Sequence, residues 1–195
     1  MRVNGNGYSD EWVVEAERRG LSNIRSTVES IPALTTEKSI AVFEKHGVLT
    51  KAELESRQEI VLEQYIKQIN IEALTMIDMA KRQILPAGIK FATDLAQSIN
   101  AIKATGVGAD TSTQEELLKE VSAVLASFKK NIAELEQEAA KASQMHGDTY
   151  EQALYYKRVV FEAMGTLRAD GDTLETLVDA NHWPLPTYSE LLFNV

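Results

Sequence analysis

The sequence predicts an all-α protein, an elongated antiparallel three-helix bundle with short N-terminal helices and an apolar C-terminal tail. Long intervals without Gly or Pro are rich in Ala, Leu, Glu, Lys, Gln and Ile, which are residues of high helix propensity. Apolar residues in those intervals recur in steps of three and four, as on one face of a helix. No alternation of apolar and polar residues is long enough for a strand.

Composition and charge narrow the function classes. The chain has 195 residues, is 44% hydrophobic and carries a net charge of -9, so we expect neither nucleic acid nor an anionic membrane as a partner. It has no cysteine, which excludes a disulfide framework, a thiolate metal site and a Cys nucleophile. No apolar run approaches the roughly 20 residues of a membrane span, and the N-terminus lacks a signal peptide. We therefore expect a cytoplasmic location.

Residues 1–48 form the first predicted section and contain two short helices. The first runs from Ser9 to Arg19 and ends at Gly20, because glycine adopts the left-handed conformation that follows many helices. A loop, "LSNIRSTVESIPAL", comes next. The second helix runs from about Thr36 to His46 and ends at Gly47.

Residues 49–195 form the second section, a predicted helical bundle domain with a C-terminal docking tail. Its first helix begins with a capping box of Thr50 and Glu53, supported by a hydrophobic staple. Pro86 removes a backbone donor, so we expect a kink there. The apolar pattern stays in phase across it, which favours one continuing helix. The apolar stripe comprises Leu62, Ile66, Ile69, Ala73, Met76, Ala80, Ile84, Ala87, Phe91, Leu95 and Ile102.

The next two helices are predicted to form an antiparallel hairpin. After the loop "ATGVGADTST", Thr113 and Glu116 can cap a helix, which ends sharply at "HGD". Asp148 and Glu151 begin the return helix, and so abrupt a turn between two amphipathic helices is typical of an αα-hairpin. The outgoing stripe comprises Leu117, Val121, Val124, Phe128, Ile132, Leu135, Ala139 and Ala142.

Gly171 looks like a break in the return helix, but its spacing argues otherwise. The apolar residues around it keep steps of four and three, with Gly171 at a core position: Val160, Met164, Leu167, Gly171, Leu174 and Val178. A glycine inside a helix costs about 1 kcal/mol relative to alanine. Burial of each flanking leucine gives back roughly 1.5–3 kcal/mol. We predict a continuous helix to about Asp179.

The glycine pair near the N-terminus is a weak candidate for phosphate binding. Gly5-x-Gly7 resembles the start of a dinucleotide fingerprint, but Asp10 stands where the third glycine belongs, and only residues 1–4 occupy the place where a strand is required. A pyrophosphate would also meet the carboxylates of Asp10 and Glu11. We interpret the segment as a flexible loop in which Ser9 or Asp10 caps the first helix.

The histidines do not have the spacing of a carboxylate-bridged di-metal site. Such a site in a helical bundle needs Glu-x-x-His pairs. Asp179-x-x-His182 is the nearest approach, since Phe43 precedes His46 and Ser143 precedes His146 at that spacing. We interpret all three histidines as cap and turn residues.

The remaining charged groups have the pattern of a solvated helix surface. Asp170 and Asp172 flank a glycine without the frame of an EF-hand. Pairs at helical spacing predict ion pairs worth a few tenths of a kcal/mol each; they are Lys130 with Glu134, Glu138 with Lys141, and Asp78 with Arg82. We predict no catalytic, cofactor-binding or metal-ligating residue in this chain.

The tail "NHWPLPTYSELLFNV" carries more apolar surface than a chain leaves in water. Trp183, Leu185, Tyr188, Leu191, Leu192 and Phe193 supply it. Thr187 and Glu190 can cap one last turn. Docking on the tail's own bundle and docking on another domain or subunit are both open.

Three segments give a family resemblance. "NGNGYSDEWVVEAERRGL", "ESRQEIVLEQYIKQINIEALTMIDMAKRQILPA" and "HWPLPTYSELLF" together resemble the C-terminal portion of type III glutamine synthetase, in that family's order and with similar separation. The resemblance is weaker over "ATGVGADTST" and the central hairpin. It implies that "NGNGYSDEW" lies where a catalytic domain gives way to a helical C-terminal region, so that Met1 is not the natural beginning of the protein.

The resemblance also implies a reaction of nitrogen metabolism, in which glutamate, ammonia and ATP give glutamine, ADP and phosphate. It places ATP and the Mg or Mn ions on an upstream catalytic domain, so no catalytic residue is carried over here. It makes residues 1–48 the end of that domain or its linker. The expected partners are the upstream domain and neighbouring subunits of a homo-oligomer, and the isolated chain is expected to be inactive.

Two other hypotheses compete with this structural and assembly role. One is a free-standing helical adaptor that binds another protein, suggested by the long apolar stripes, although such stripes usually form a core. The other is a metal- or nucleotide-binding enzyme in its own right, which the absent motifs disfavour.

Overall fold

A computed structural model describes residues 5–186 and 188–192, and within them the secondary structure is helical with no strand. The all-α prediction is confirmed. Two of the helices, α4 and α7, each continue through a π-helical segment into the next. The helices are α1 (Asp10–Arg18), α2 (Thr27–Ser30), α3 (Glu37–Lys45), α4 (Lys51–Met79), α5 (Leu85–Ala104), α6 (Ser112–Ser143), α7 (Thr149–Tyr155), α8 (Phe161–Leu177) and α9 (Tyr188–Leu192).

The chain divides into two compact units, Met1–Gln64 and Tyr65–Val195. The boundary falls within α4. Compactness alone does not define a domain that folds independently, so the predicted division after residue 48 stays a prediction.

In the first unit, the two predicted short helices are confirmed to within a residue at each end. The Ser9 hydroxyl caps α1 by accepting from the Trp12 N–H at 3.3 Å, and Thr36 caps α3 in the same way through Ser39. Gly20 has a φ of +71°, which lets the Leu21 N–H turn back to the Ala16 carbonyl at 2.9 Å. Glycine reaches that φ without strain.

The loop predicted between these helices is partly wrong. It contains the single turn α2 and a 3-10 turn, Ile31–Thr35. Ser26 caps α2, and Val28 and Ile31 are buried within the turns. Burial of two β-branched side chains outweighs their low helix propensity, a tertiary effect that composition does not reveal.

The start of α4 is the predicted capping box. The Thr50 N–H donates to Glu53 Oε2 at 2.7 Å, and the Glu53 N–H donates to the Thr50 hydroxyl at 3.3 Å. The backbone N–H of Thr50 lowers the pKa of the Glu53 carboxyl because it stabilises the carboxylate. Two unpaired helix-end donors are thus satisfied.

The helix continues past Pro86, as predicted, and a π segment accounts for how it does so. Ala80–Ile84 is π-helical, and the Leu85 N–H donates to the Ala80 carbonyl five residues back. A proline ring presses on the carbonyl four residues before it, here that of Arg82. The wider π turn immediately upstream lets the chain enter α5 with Pro86 in its first turn, where no N–H is needed.

In the second unit, α6 lies antiparallel to both α5 and α8. Against α5, Lys103 pairs with Glu115 at 2.7 Å, and Lys81, upstream in the π segment, pairs with Glu136. From the first pair to the second, the residue number falls in the first long helix and rises in α6, so the two helices run antiparallel. Contacts to the return helix follow the same rule: they are the Tyr155 hydroxyl to Glu138 and the Asn131 amide to Asp170. The predicted hairpin is present, whereas the exact three-helix arrangement stays a prediction.

The predicted apolar stripes of α6, of the return helix and of α4 from Ile69 onward supply the core of the second unit. Phe128, Ile132 and Leu135 of α6 have at most 1% of their surface exposed. They share one cluster with Ile69, Ala73, Ile77 and Ala80 from the first long helix and with Tyr156, Val160, Leu167, Leu174 and Val178 from the return helix. In α5 the prediction is partly wrong, because Ala87, Leu95 and Ile102 are only half-buried and the buried positions are Gly88 and Ile99.

The return helix is continuous through Gly171, as predicted. It runs from α7 through a second π segment, Tyr156–Val160, into α8 and ends at Leu177. Asp148 caps α7 by accepting from the Tyr150 N–H at 2.8 Å. A Cβ built on Gly171 would lie 3.6 Å from Phe128 Cε2, so the core position that spacing indicated is real.

The predicted cap of α6 is wrong by two residues. The helix begins at Ser112 rather than after Thr113. Asp110 accepts from the Ser112 N–H at 2.9 Å, and the hydroxyl of Thr111 donates to Glu115 at 2.8 Å. Thr111, the residue that precedes the helix, is 7% exposed, and its burial has no local signature in the sequence.

The tail docks on its own unit around His182 and Trp183. Trp183 packs against the core cluster. His182 Nε2 lies 2.8 Å from Asp94 Oδ2 in α5, and its ring lies 5.7 Å from that of Phe91. Asp179 forms the turn before it by accepting from the Asn181 N–H at 2.8 Å, which lowers the pKa of its carboxyl. The predicted Thr187 cap and Phe193 lie outside the described residues.

We expect three glycine-to-alanine substitutions to separate helix propensity from packing. Gly165→Ala meets open space and Gly171→Ala an ordinary contact, so each should raise the free energy of unfolding by about 0.5–1 kcal/mol. Gly88→Ala would place its Cβ 2.7 Å from Leu125 Cδ2, so repacking should cancel or reverse the gain. Urea unfolding measures all three, and an equal gain at residue 88 would contradict this packing.

We expect His182→Ala to release Trp183 from the bundle. In a Trp12→Phe background Trp183 is the single tryptophan, since the chain has two. Loss of the contact with Asp94 should move its fluorescence to longer wavelength, because the indole becomes more hydrated. The control is His146→Ala, at an exposed position in the link between α6 and α7. An unchanged spectrum for His182→Ala would show that this contact does not hold the tail.

Candidate functional site

The second unit contains a cavity of about 410 Å³, here called the tail cavity. It is bounded by the C-terminal part of α4, the first π segment, α6, α8 and the tail. Its apolar lining is provided mainly by Met76, Ile84, Phe128, Leu167, Trp183 and Leu185. Its volume lies in the range of small-molecule sites, about 300–1,000 Å³.

Two small residues open the cavity where larger side chains would fill it. Gly171 interrupts the apolar stripe of α8, and Ala80 occupies the facing stripe of the first long helix. Without a side chain at residue 171, the ring edge of Phe128 borders the cavity. The helical repeat makes residue 171 a core position, and the glycine there leaves part of that position empty.

The polar part of the cavity lining is mainly acidic. Glu72 of α4 and Asp172 and Glu175 of α8 contribute carboxylates, against the single guanidinium of Arg168. Arg168 Nε lies 3.3 Å from Asp172 Oδ2, so one carboxylate is already paired. The lining therefore favours a cation over an anion.

Trp183 contributes an aromatic wall and carries an unused donor. Its indole Nε1–H is buried and has no acceptor among the described residues. Buried donors are normally paired. The ring of Trp183 therefore borders the cavity, whereas its Nε1–H is enclosed by neighbouring groups.

The structure places the candidate histidines at three separate helix ends. His46 follows α3, and His146 lies in the link after α6. His182 Nδ1 lies 3.6 Å from Asp179 Oδ1, within the turn that the sequence predicted. What the sequence missed is the partner of His182, because Asp94 lies 88 residues earlier.

The candidate carboxylates of the helix surfaces include two of the predicted ion pairs. Asp78 pairs with Arg82 and Glu138 pairs with Lys141. Glu138 also accepts from the Tyr155 hydroxyl, and its two donors lower the pKa of its carboxyl, Lys141 more than Tyr155.

Asp170 belongs to a buried polar contact that the sequence did not suggest. It accepts from the Nδ2 of Asn131 at 2.7 Å, and Asn131 is 9% exposed. The amide sits beside the apolar stripe of α6, where such a residue needs a partner. Asp170 satisfies it from the facing helix, which makes this carboxylate a packing residue.

At the N-terminus, the glycine pair belongs to a capped loop. Asn6 Oδ1 accepts from the Tyr8 N–H at 3.0 Å, and Ser9 caps α1. A Cβ on Gly5 or on Gly7 would meet no atom within 4 Å, so neither glycine is required there by a close approach of other groups.

The described residues lack both a metal-ligating cluster and a membrane-spanning helix. Residues 5–186 and 188–192 bring together no group of at least three His, Cys, Asp or Glu side chains that could hold a metal ion. In the same part of the chain, no helix is both long and apolar enough to cross a membrane. The absence of catalytic, cofactor-binding and metal-ligating residues stays a prediction.

Some large apolar side chains of the second unit stay exposed. Leu191 and Leu192 of α9 are 62% and 71% exposed. Ile71 and Leu74 of α4 are 60% and 54% exposed. The described tail therefore divides: Trp183 docks on its own bundle, whereas the two leucines beyond it do not.

Comparisons with known proteins agree with the resemblance. The chain is 36% identical over 98% of its length to "Glutamine synthetase" of Butyrivibrio fibrisolvens, and 33% identical over 97% to "Type-3 glutamine synthetase" of Dictyostelium discoideum. A "Glutamine synthetase" of Bacteroides fragilis is 32% identical over 99% of the chain. The chain spans only 26–27% of these relatives.

A family model gives the assignment directly. The model described as "Glutamine synthetase C-terminal domain" matches residues 1–103, which include α1, α4 and all but the last residue of α5. This range contains the two longest of the three segments that carried the resemblance. The chain belongs to the glutamine synthetase C-terminal domain family.

Proposed function

We propose that the chain is the C-terminal structural and assembly domain of a type III glutamine synthetase. The longer protein would form glutamine from glutamate and ammonia with cleavage of ATP. The observation that carries the proposal is that relatives match the chain almost from end to end while it spans about a quarter of their length. The matches do not favour the alternative of a free-standing adaptor.

The proposal assigns chemistry and architecture to different parts of the protein. ATP and the Mg or Mn ions would bind the upstream catalytic domain. The helical part supplies packed apolar stripes. Several of its carboxylates take part in helix caps or ion pairs, among them Glu53, Glu115 and Glu138. A cytoplasmic location belongs to the same proposal.

The contacts to the rest of the protein are proposed to involve α9. Leu191 and Leu192 protrude just beyond the point where Trp183 anchors the tail. An exposed leucine pair offers apolar surface that can dock on an upstream domain or on a neighbouring subunit of a homo-oligomer.

The isolated chain is expected to form no glutamine. The assay supplies glutamate, ammonia, ATP and Mg²⁺ or Mn²⁺ and measures glutamine and phosphate, with the full-length Butyrivibrio fibrisolvens relative as the positive control. Turnover by the isolated chain above the buffer rate would refute the proposed division. Coding sequence for a catalytic domain directly upstream of Met1 would support it, and a genuine start codon there would support the adaptor.

In the longer protein, Leu191→Asp with Leu192→Asp is expected to weaken subunit assembly. Each substitution places a carboxylate where the proposal buries a leucine, at a cost of about 2–3 kcal/mol or more per position. Mass photometry at nanomolar concentration should show smaller species. The control is Val107→Asp, at an equally exposed loop position, 79%. Unchanged assembly in the double variant would show that α9 is not in an interface.

A further inference from the structure

We propose that the tail cavity is a binding site for a small organic cation: an apolar, preferably aromatic, body that carries an ammonium group. The site would lie between the bundle and the tail. It does not depend on the proposed function, because it uses only residues of the second unit.

Size and lining indicate the apolar body. The cavity holds about 410 Å³ and is bordered by methionine, aliphatic and aromatic side chains. A site of this kind derives affinity from removing apolar ligand surface from water. The Phe128 and Trp183 rings favour an aromatic body.

Gly171 indicates that the space is kept open. The stripe of α8 places a core residue there, and a methyl group would fit, since its nearest neighbour would lie at 3.6 Å. Alanine would also be better for the helix by about 1 kcal/mol. Glycine at a position that would accept alanine lengthens the cavity toward Phe128 at a cost to stability.

The negative charge of the cavity lining favours a positively charged polar group on the ligand. With Arg168 paired to Asp172, the carboxylates of Glu72 and Glu175 leave the lining with a net negative charge. Gln68 Nε2 donates to Glu72 at 2.6 Å, which fixes that carboxylate without neutralising it. An ammonium group would be attracted to this side of the cavity, and a carboxylate or phosphate would be repelled.

Binding would also involve the tail, because Trp183 and Leu185 are part of the lining. A ligand between the bundle and these residues contacts both, so it would stabilise the docked tail in proportion to its occupancy. The contacts that a ligand makes with Trp183 would be those of its ring, because the Nε1–H has no accessible surface.

The experiment titrates the full chain in the Trp12→Phe background, so that the fluorescence reports Trp183. The probes are 4-phenylbutylammonium, 4-phenylbutanol and 4-phenylbutanoate, which share one body and differ in charge. We expect a saturable change with the ammonium probe, an affinity several-fold lower for the alcohol and at least about tenfold lower for the carboxylate. Equal affinities, tighter binding of the alcohol, or no saturable change would overturn the proposal.

Two sets of variants locate the site. Gly171→Leu should fill the cavity and reduce the affinity of the ammonium probe at least about tenfold, whereas Gly171→Ala should preserve most of it. Glu72→Gln with Glu175→Gln should lower ammonium affinity about fivefold to tenfold and leave alcohol affinity unchanged. Glu134→Gln, an exposed carboxylate of α6 outside the cavity, is the matched control.

The two sets test the proposal independently. If Gly171→Leu fails to fold, which circular dichroism would reveal, the glutamate pair still decides the question. Ammonium affinity that survives both Glu72→Gln and Glu175→Gln would overturn the assignment of charge. Ammonium affinity that survives a folded Gly171→Leu would place the probe elsewhere.

Discussion

Burial of the apolar stripe of α6 is the constraint on which the second unit depends. Phe128, Ile132 and Leu135 are almost inaccessible, and each full burial of such a side chain stabilises the fold by roughly 1.5–3 kcal/mol. One amphipathic helix cannot hide this stripe alone, so helices must cover it from more than one side. The antiparallel partners α5 and α8, the capped turn at Asp148 and the docked Trp183 all contribute to that cover.

The sequence was most informative where one periodic signal extended over many residues. Outside α5, the stripes through Leu62, Val121 and Val160 predicted buried faces correctly, because a 3.6-residue repeat leaves little choice about which face turns inward. Capping at Thr50 was equally predictable, since both partners lie within one turn. The start of α6 was not, because the contacts of Asp110 with Ser112 and of the buried Thr111 with Glu115 place it two residues before the predicted cap.

The tail cavity could be predicted only in part. Gly171 at a core position was visible in the sequence, but glycine there is compatible with close packing as well as with a void. Whether a cavity forms depends on the distance from residue 171 to Phe128. It also depends on Trp183 and Leu185, which belong to a tail whose docking site the sequence left undecided. The contact between His182 and Asp94 could not be predicted either, because the two residues are 88 positions apart and no local pattern links them.

The second π segment, Tyr156–Val160, has a consequence for how this helix tolerates changes in length. A π turn contains one residue more than the α-helical register requires, and each residue rotates an α-helix by about 100°. Losing one residue within Lys157–Arg158 would convert the bulge to ordinary helix and leave Leu167 and Leu174 facing inward. The same deletion a few turns later would rotate every downstream side chain away from its partners. Evolutionary insertions and deletions in the return helix should therefore concentrate at this bulge.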